Sequence, residues 1–282
     1  MTGCGVNKEV NCDCFQVKNR CPCTCKEAYG PVDLRRVWRV GTSAEYFPFE
    51  EIDEDGNFYG FDIDVINKIA QRLNFNVEFV NMDFDSLLSA LSLGYIDVVI
   101  SGITDTPKRR ELVDFTQTYI ELAQVMLYHE DFPLNLLLPR DDSQFNYKII
   151  GSQKDTIYTE RLQEMWTGAP PAAPNLHIYE HVYLNTLAEN LSSQETIVGF
   201  SSDYTPMNGP LFAVILVEQA ALSLKDKYPK LLITPTEFLN EAETCSIALA
   251  KGNPLLPLIQ SILDDLITSG FIEERKQFWF SE

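Results

Sequence analysis

The residues of this chain that could do chemistry fall into three groups. Six cysteines, Cys4, Cys12, Cys14, Cys21, Cys23 and Cys25, crowd the first 25 residues, and a seventh, Cys245, stands alone. Clustered thiols can form disulfides or bind a metal as thiolates. The runs Cys-Asp-Cys and Cys-Pro-Cys-Thr-Cys lack the two-residue spacer of zinc knuckles, and a short polar segment has no core to hold it together. Disulfides in an oxidising compartment are therefore the favoured reading, with a thiolate metal site as the rival. Cys245 lies in an apolar run and reads as an inert buried thiol. The second group is cationic: Lys108, Arg109 and Arg110 follow Thr106-Pro107, a helix-start signal. A guanidinium there is either a solvated charge or a clamp that holds a carboxylate through two parallel hydrogen bonds. The third group is acidic, with Glu218 following the apolar run 213–217 and Asp203 following 196–200. No nucleophile–base signature accompanies either acid, and His129, His177 and His181 stand outside every recognisable motif.

A strand over 37–40 enters Gly41-Thr42-Ser43, and a turn forms at Asp53-Glu54-Asp55-Gly56. Asp62 opens a helix whose Ile63, Ile66, Ile69, Ala70 and Leu73 keep helical spacing, and 77–80 is the next strand. A second helix carries Phe84, Leu87, Leu88 and Leu91 on one face, ends at Gly94 and leads to a buried strand over 96–100. Such alternation predicts an α/β sheet covered by helices. After an extended apolar run at 125–128 the pattern restarts, with a strand at 148–151, a helix near 158–165 and a strand around Ile178. A proline-rich loop, 168–174, separates the last two. Two apolar strands, 196–200 and 212–217, are joined by 201–210, and one of them reads as an insertion. Residues 245–250 are extended, and Leu255, Leu258, Ile259, Ile262, Leu263 and Leu266 predict a final amphipathic helix ended by Gly270.

At 282 residues and 45% apolar composition, the chain can bury a substantial core, and its length points to two domains. Its 22 basic residues against 41 acidic ones give a formal charge of −19, which repels nucleic acid and anionic lipid. No apolar run reaches the roughly 18 residues that a membrane-spanning helix needs. Residues 1–33 show little periodicity and read as a cysteine-rich tether. Thr2-Gly3-Cys4 is similar to the end of a bacterial lipoprotein signal, in which a small pair precedes the cysteine that receives the lipid.

Three segments carry a family resemblance: Val40-Gly41-Thr42 with 46–50 and 60–64; Ile96-Asp97-Val98-Val99 with 101–109 and 113–116; and 250–254 through Gly270 to Phe278-Trp279. In order, spacing and type they resemble the polar-amino-acid family of type II periplasmic binding proteins, over roughly residues 37–282. The resemblance implies a two-lobed α/β Venus flytrap with two crossover strands, here 125–128 and 245–250. Lobe 1 would then be discontinuous, 34–126 with 246–282, and lobe 2 would be 127–245. It also implies a free amino acid as ligand, an ABC permease in the inner membrane as partner, a lipid anchor at Cys4, a periplasmic or cell-envelope location, a monomer, and no cofactor or metal.

A free amino acid presents one carboxylate and one ammonium, so its site needs a fixed cation with donors and a carboxylate. In the family's Thr-x-Thr-Pro-x-Arg pattern, Arg109 corresponds to the carboxylate clamp, with Gly102 and Thr104 as companion contacts. Gly151-Ser152-Gln153-Lys154-Asp155-Thr156 corresponds to an anion-binding turn in which Thr156 closes over the carboxylate. Asp155 stands where the family usually has glycine. Glu218 is favoured over Asp203 for the ammonium, because Tyr228-Pro229-Lys230-Leu231 follows it at the family's spacing. Tyr46 and Phe84 fall where the family stacks rings on the ligand side chain. Ser43 replaces an acid common in relatives that prefer basic ligands, and Glu45 is the neighbouring acid that could compensate. The fold also hosts dehydratases and sensor modules, so an enzyme and a receptor module are the competing classes.

Overall fold

The computed structural model describes residues 37–132, 134–137, 141–167, 175–201, 204–239 and 241–281. The cysteine-rich segment 1–33 with Cys4, the loop 168–174 and Asp203 lie outside them.

The first sheet grows from a strand–helix–strand unit. Strand β1 (Val37–Thr42) leads through a small hairpin, β2 (Glu51–Ile52) and β3 (Phe58–Tyr59), into helix α1 (Phe61–Leu73) and out to β4 (Asn76–Asn81), which pairs with β1 in parallel. The helix forms because Ile63, Ile66, Ile69, Ala70 and Leu73 fall on one stripe, and all are buried. It stops at Asn74, whose left-handed φ of 55° lets its amide cap the carbonyls of Ala70 and Gln71. Next come α2 (Leu87–Ser92), β5 (Val98–Val99) and β6 (Val113–Phe115). Leu87, Leu91, Ile96, Val99, Ile103, Val113, Phe115 and Ala248 form the core under this lobe. Ala248 lies some 130 residues beyond its neighbours in sequence, because β14 (Ala248–Ala250) inserts between β5 and β6.

Strand β7 (Ile120–His129) leaves this lobe. Residues 120–123 pair antiparallel with β13 (Ala242–Cys245), whereas 124–128 already belong to the second sheet, against β11 (Pro206–Val217). The two crossovers are thus the paired segments 120–123 and 242–245, a few residues before the apolar runs expected for that role. Those runs are apolar because they are sheet-core strands, while the crossovers proper carry the polar Glu121, Glu243 and Thr244.

The second sheet, in the order β10-β9-β8-β11-β7-β12 among the described residues, adds β8 (Ile149–Gln153), β9 (His177–His181), β10 (Thr196–Phe200) and β12 (Leu231–Ile233). Its helices are α3 (Ile157–Thr167), α4 (Leu184–Ser193), α5 (Glu218–Lys227) and the short α6 (Thr236–Leu239). Strands β10 and β11 pair as an antiparallel hairpin from Phe200↔Pro206 to Thr196↔Pro210. The run 206–210 is strand rather than connection, with Pro206 and Pro210 exposed at positions where pairing on one side suffices. The chain closes with α7 (Leu256–Thr268) and α8 (Phe271–Phe280) back on the first lobe. There the Trp279 indole donates to Asp64 at 2.8 Å, and Phe280 packs on Phe49 and Phe61.

Two nearby leucines test this packing. Leu91 is fully buried and Leu93 is 70% exposed. Leu91→Ala is expected to cost about 2–5 kcal/mol in urea denaturation, and Leu93→Ala less than about 0.5 kcal/mol.

Candidate binding site between the two lobes

A narrow cleft lies between the two sheets, lined by Ser43, Tyr46, Glu50, Phe84, Ser101 and Gly102 of the first lobe, Gln153, Thr156 and Tyr158 of the second, and Glu243 of the returning crossover. The space it encloses as the lobes stand is about that of a single water molecule, so an amino acid enters only if they part.

The first-lobe wall is the loop 101–104 at the end of β5, held from below. The Asp62 carboxylate accepts the Gly102 amide at 2.7 Å and the Tyr119 hydroxyl at 2.7 Å. The Ser101 hydroxyl donates to Glu50 at 2.6 Å and accepts the Ser43 amide at 3.0 Å, tying the loop after β1 to the same base. Gly102 has a left-handed φ of 52°, and a Cβ there would meet the Tyr46 ring at 3.5 Å, so glycine is needed for the backbone conformation more than for space. Glu50 and Asp62 are both buried and adjacent. Burial, then the neighbouring Asp62, raises the Glu50 carboxyl well above its ordinary range, and burial raises Asp62 to about 6. Like-charged carboxyls out of water cannot both ionise cheaply, so Glu50 keeps the proton and Asp62 accepts from it.

Arg109 sits above Phe84, its guanidinium carbon 5.5 Å from the ring centroid. It donates to the carbonyls of Thr104 at 2.7 Å and of Asp155 at 2.8 Å, reaching from one lobe to the other. Burial lowers its pKa, opposed by the negative charges of Glu243, Glu160 and Asp155. It stays charged, as arginine does in proteins. Arg110 points elsewhere and ion-pairs with Asp105 at the surface.

On the second lobe Asp155 adopts the left-handed φ of 58°, so the turn keeps the conformation for which glycine is usual. Aspartate tolerates that region better than most side chains. The Thr156 hydroxyl donates to the Gln153 carbonyl at 2.7 Å, closing the turn. Lys154 reaches across to Asp85 at 2.7 Å.

The centre of the cleft is polar. The Thr104 hydroxyl donates to Glu243 Oε1 at 2.6 Å, the Tyr158 hydroxyl donates to Glu243 Oε2, and the Tyr158 and Tyr46 hydroxyls are 3.4 Å apart. Burial raises the pKa of Glu243, while the Thr104 and Tyr158 donors and then the Arg109 charge oppose the rise.

Of the residues singled out from sequence, the structure brings Ser43, Tyr46, Phe84, Gly102 and Thr156 to the cleft lining, with Thr104 and Arg109 bordering it. Glu45 and Glu218 are not among the lining residues; Glu45 feels the charges of Asp83 and His181, and Glu218 begins α5. The structure adds Glu50, Ser101, Gln153, Tyr158 and Glu243. The first three lie inside the recognisable motifs, whereas nothing in the sequence marks Tyr158 or Glu243. Cys245 is a buried free thiol, as its apolar surroundings predict.

Two α/β lobes, a pair of crossover strands and a polar cleft between them define a clamp-type binding protein. The chain belongs to the bacterial extracellular solute-binding proteins, family 3, whose model matches residues 38–282. It is 45% identical over 103 residues to the "Probable histidine-binding protein" of Neisseria gonorrhoeae, covering 36% of this chain and 38% of that one. It is 33% identical over 126 residues to the arginine-binding extracellular protein of Bacillus subtilis (strain 168), covering 45% and 47%. These alignments therefore span less than half of the relatives' lengths. Among solved structures, the substrate binding protein of an amino acid ABC transporter superposes with a TM-score of 0.71 at 27% identity, covering 88% of this chain and all of that one.

The Glu50–Asp62 pair generates a pH prediction. Both folded-state values are raised, so the folded chain retains protons that the unfolded chain releases above about pH 4. The stability this pair contributes is fully present below that value and is lost as pH rises through about 6 and beyond. The stability of the wild type relative to Glu50→Gln, measured by urea denaturation, should fall between pH 5 and pH 7.5. A difference that does not change with pH would contradict the shared proton.

Proposed function

We propose that this protein is the ligand-carrying component of an amino-acid ABC importer, which closes its two lobes on a free amino acid and delivers it to a membrane permease without chemical change. One observation carries the reading: Arg109, half-buried at the lobe interface, meets only backbone carbonyls and an aromatic ring. No carboxylate among the described residues pairs with it. A desolvated guanidinium with no direct counter-ion is suited to a ligand carboxylate. Thr104 and Thr156 flank it, and Gly102 supplies backbone. Tyr46 and Phe84 offer ring faces to the side chain, with Ser43 also in the lining.

The relatives named for arginine and histidine make amino acids with cationic side chains the first ligands to try. In this reading the lobe-to-lobe contacts of Arg109 with Asp155 and of Lys154 with Asp85 belong to the closed state, which ligand favours. The protein acts as a monomer in the periplasm or cell envelope, held by a lipid on Cys4 through the tether 1–33. Deleting the tether leaves binding intact.

Titration calorimetry with a panel of amino acids tests this. Arg109→Ala should lose about 2–5 kcal/mol of binding, roughly thirtyfold to several thousandfold. Arg109→Lys should also bind poorly, because an ammonium cannot make the two-pronged contact. Arg110→Ala should change affinity less than about fivefold, because Arg110 is itself exposed and pairs with Asp105 away from the cleft. With thermal melts confirming folded variants, normal binding by Arg109→Ala would overturn the proposal.

A further inference from the structure

The cleft holds a second charged group whose arrangement mirrors that of Arg109. Glu243 is 6% exposed and lies on the returning crossover strand, not on either lobe's ligand-facing loop. It lines the cleft, and no cation among the described residues forms an ion pair with it. Its two donors, the hydroxyls of Thr104 and Tyr158, are neutral. A carboxylate offers about four lone-pair sites, so two hydroxyl donors leave half of its capacity unused. A buried carboxylate with unused capacity and no counter-ion is costly unless a cation arrives.

Thr104 joins this acid to the clamp. Its carbonyl accepts from Arg109 at 2.7 Å and its hydroxyl donates to Glu243 at 2.6 Å, so each charge is one hydrogen bond from the same residue. The backbone of Thr104 is itself bridged to Cys245, two residues beyond Glu243, and the Ser246 amide donates to Ile103 at 2.9 Å, which fixes the spacing. Arg109 and Glu243 influence each other electrostatically, yet they do not touch. A free amino acid carries a carboxylate and an ammonium on the same carbon, one charge for each of these two groups.

We infer that Glu243 is the counter-charge for the α-ammonium group of the amino acid. The inference rests on the reading of the cleft as an amino-acid site and replaces Glu218, the acid favoured from sequence, which is not among the lining residues. Tyr158 follows from it: a second-lobe hydroxyl closes on the other oxygen of Glu243 and holds the acceptor in place, so the hinge strand, and not only the lobes, registers the ligand.

The test is calorimetry with two ligand pairs that differ only in the α-amino group: L-arginine against 5-guanidinopentanoate, and L-histidine against imidazole-4-propionate. The wild type should prefer at least one amino acid to its desamino partner by about thirtyfold or more. Glu243→Gln should lose affinity for that amino acid by a similar factor and no longer discriminate within the pair. Glu243→Asp, which keeps the charge, should retain part of the discrimination, and Glu218→Gln all of it. Thermal melts show that each variant is folded. Discrimination that survives in Glu243→Gln, or disappears in Glu218→Gln, overturns the assignment while leaving the amino-acid site standing. Loss confined to the basic ligands, with neutral amino acids bound as before, would place Glu243 on the ligand side chain and overturn it too. A wild type that binds no free amino acid removes the underlying reading and this inference with it.

Discussion

Thr104 is where the demands on this structure meet. Its carbonyl receives the Arg109 guanidinium, its hydroxyl serves Glu243, and its backbone bridges to Cys245 on the returning crossover. The loop that carries it is supported from beneath by Asp62 and Glu50, buried acids that are themselves tied to Tyr119, Gly102 and Ser101. Burying those acids is unfavourable for their charged forms, and their raised proton affinities are the visible consequence. Asp62 is held by two donors, the Gly102 amide and the Tyr119 hydroxyl, and Glu50 by the Ser101 hydroxyl. A polar network of this kind favours one geometry over near alternatives.

Much of the fold was legible from spacing. The apolar stripes of α1 and the buried residues of β5 are readable because helix and strand impose different periods on the same chain. Helix α4 was legible as well: Leu184, Leu187, Ala188 and Leu191 keep helical spacing and are all buried. The run 206–210 misleads because its prolines and glycine signal a turn, and pairing with β10 overrides that signal.

The site divides along the same line. Gly102, Thr104, Arg109 and Thr156 lie in local motifs, where residue type and short spacing carry the information. Glu243 and Tyr158 reach the cleft only through topology. One arrives on a strand that returns from the far end of the chain, 139 positions beyond Thr104, and the other from the first turn of a second-lobe helix. Nothing local distinguishes Glu243 from the many surface acids behind the formal charge of −19. The position of Asp155 shows the opposite case: the departure from glycine leaves the left-handed turn intact, because the backbone conformation is set by the turn and aspartate can adopt it.

The most direct test of the account is a crystal structure of the protein saturated with the amino acid it binds most tightly. The account predicts the ligand between the lobes, its α-carboxylate on the Arg109 guanidinium in place of one of the carbonyl contacts, its ammonium turned towards Thr104 and Glu243, and its side chain between Tyr46 and Phe84. An amino acid seated elsewhere, with Arg109 still held by the carbonyls of Thr104 and Asp155, would contradict it.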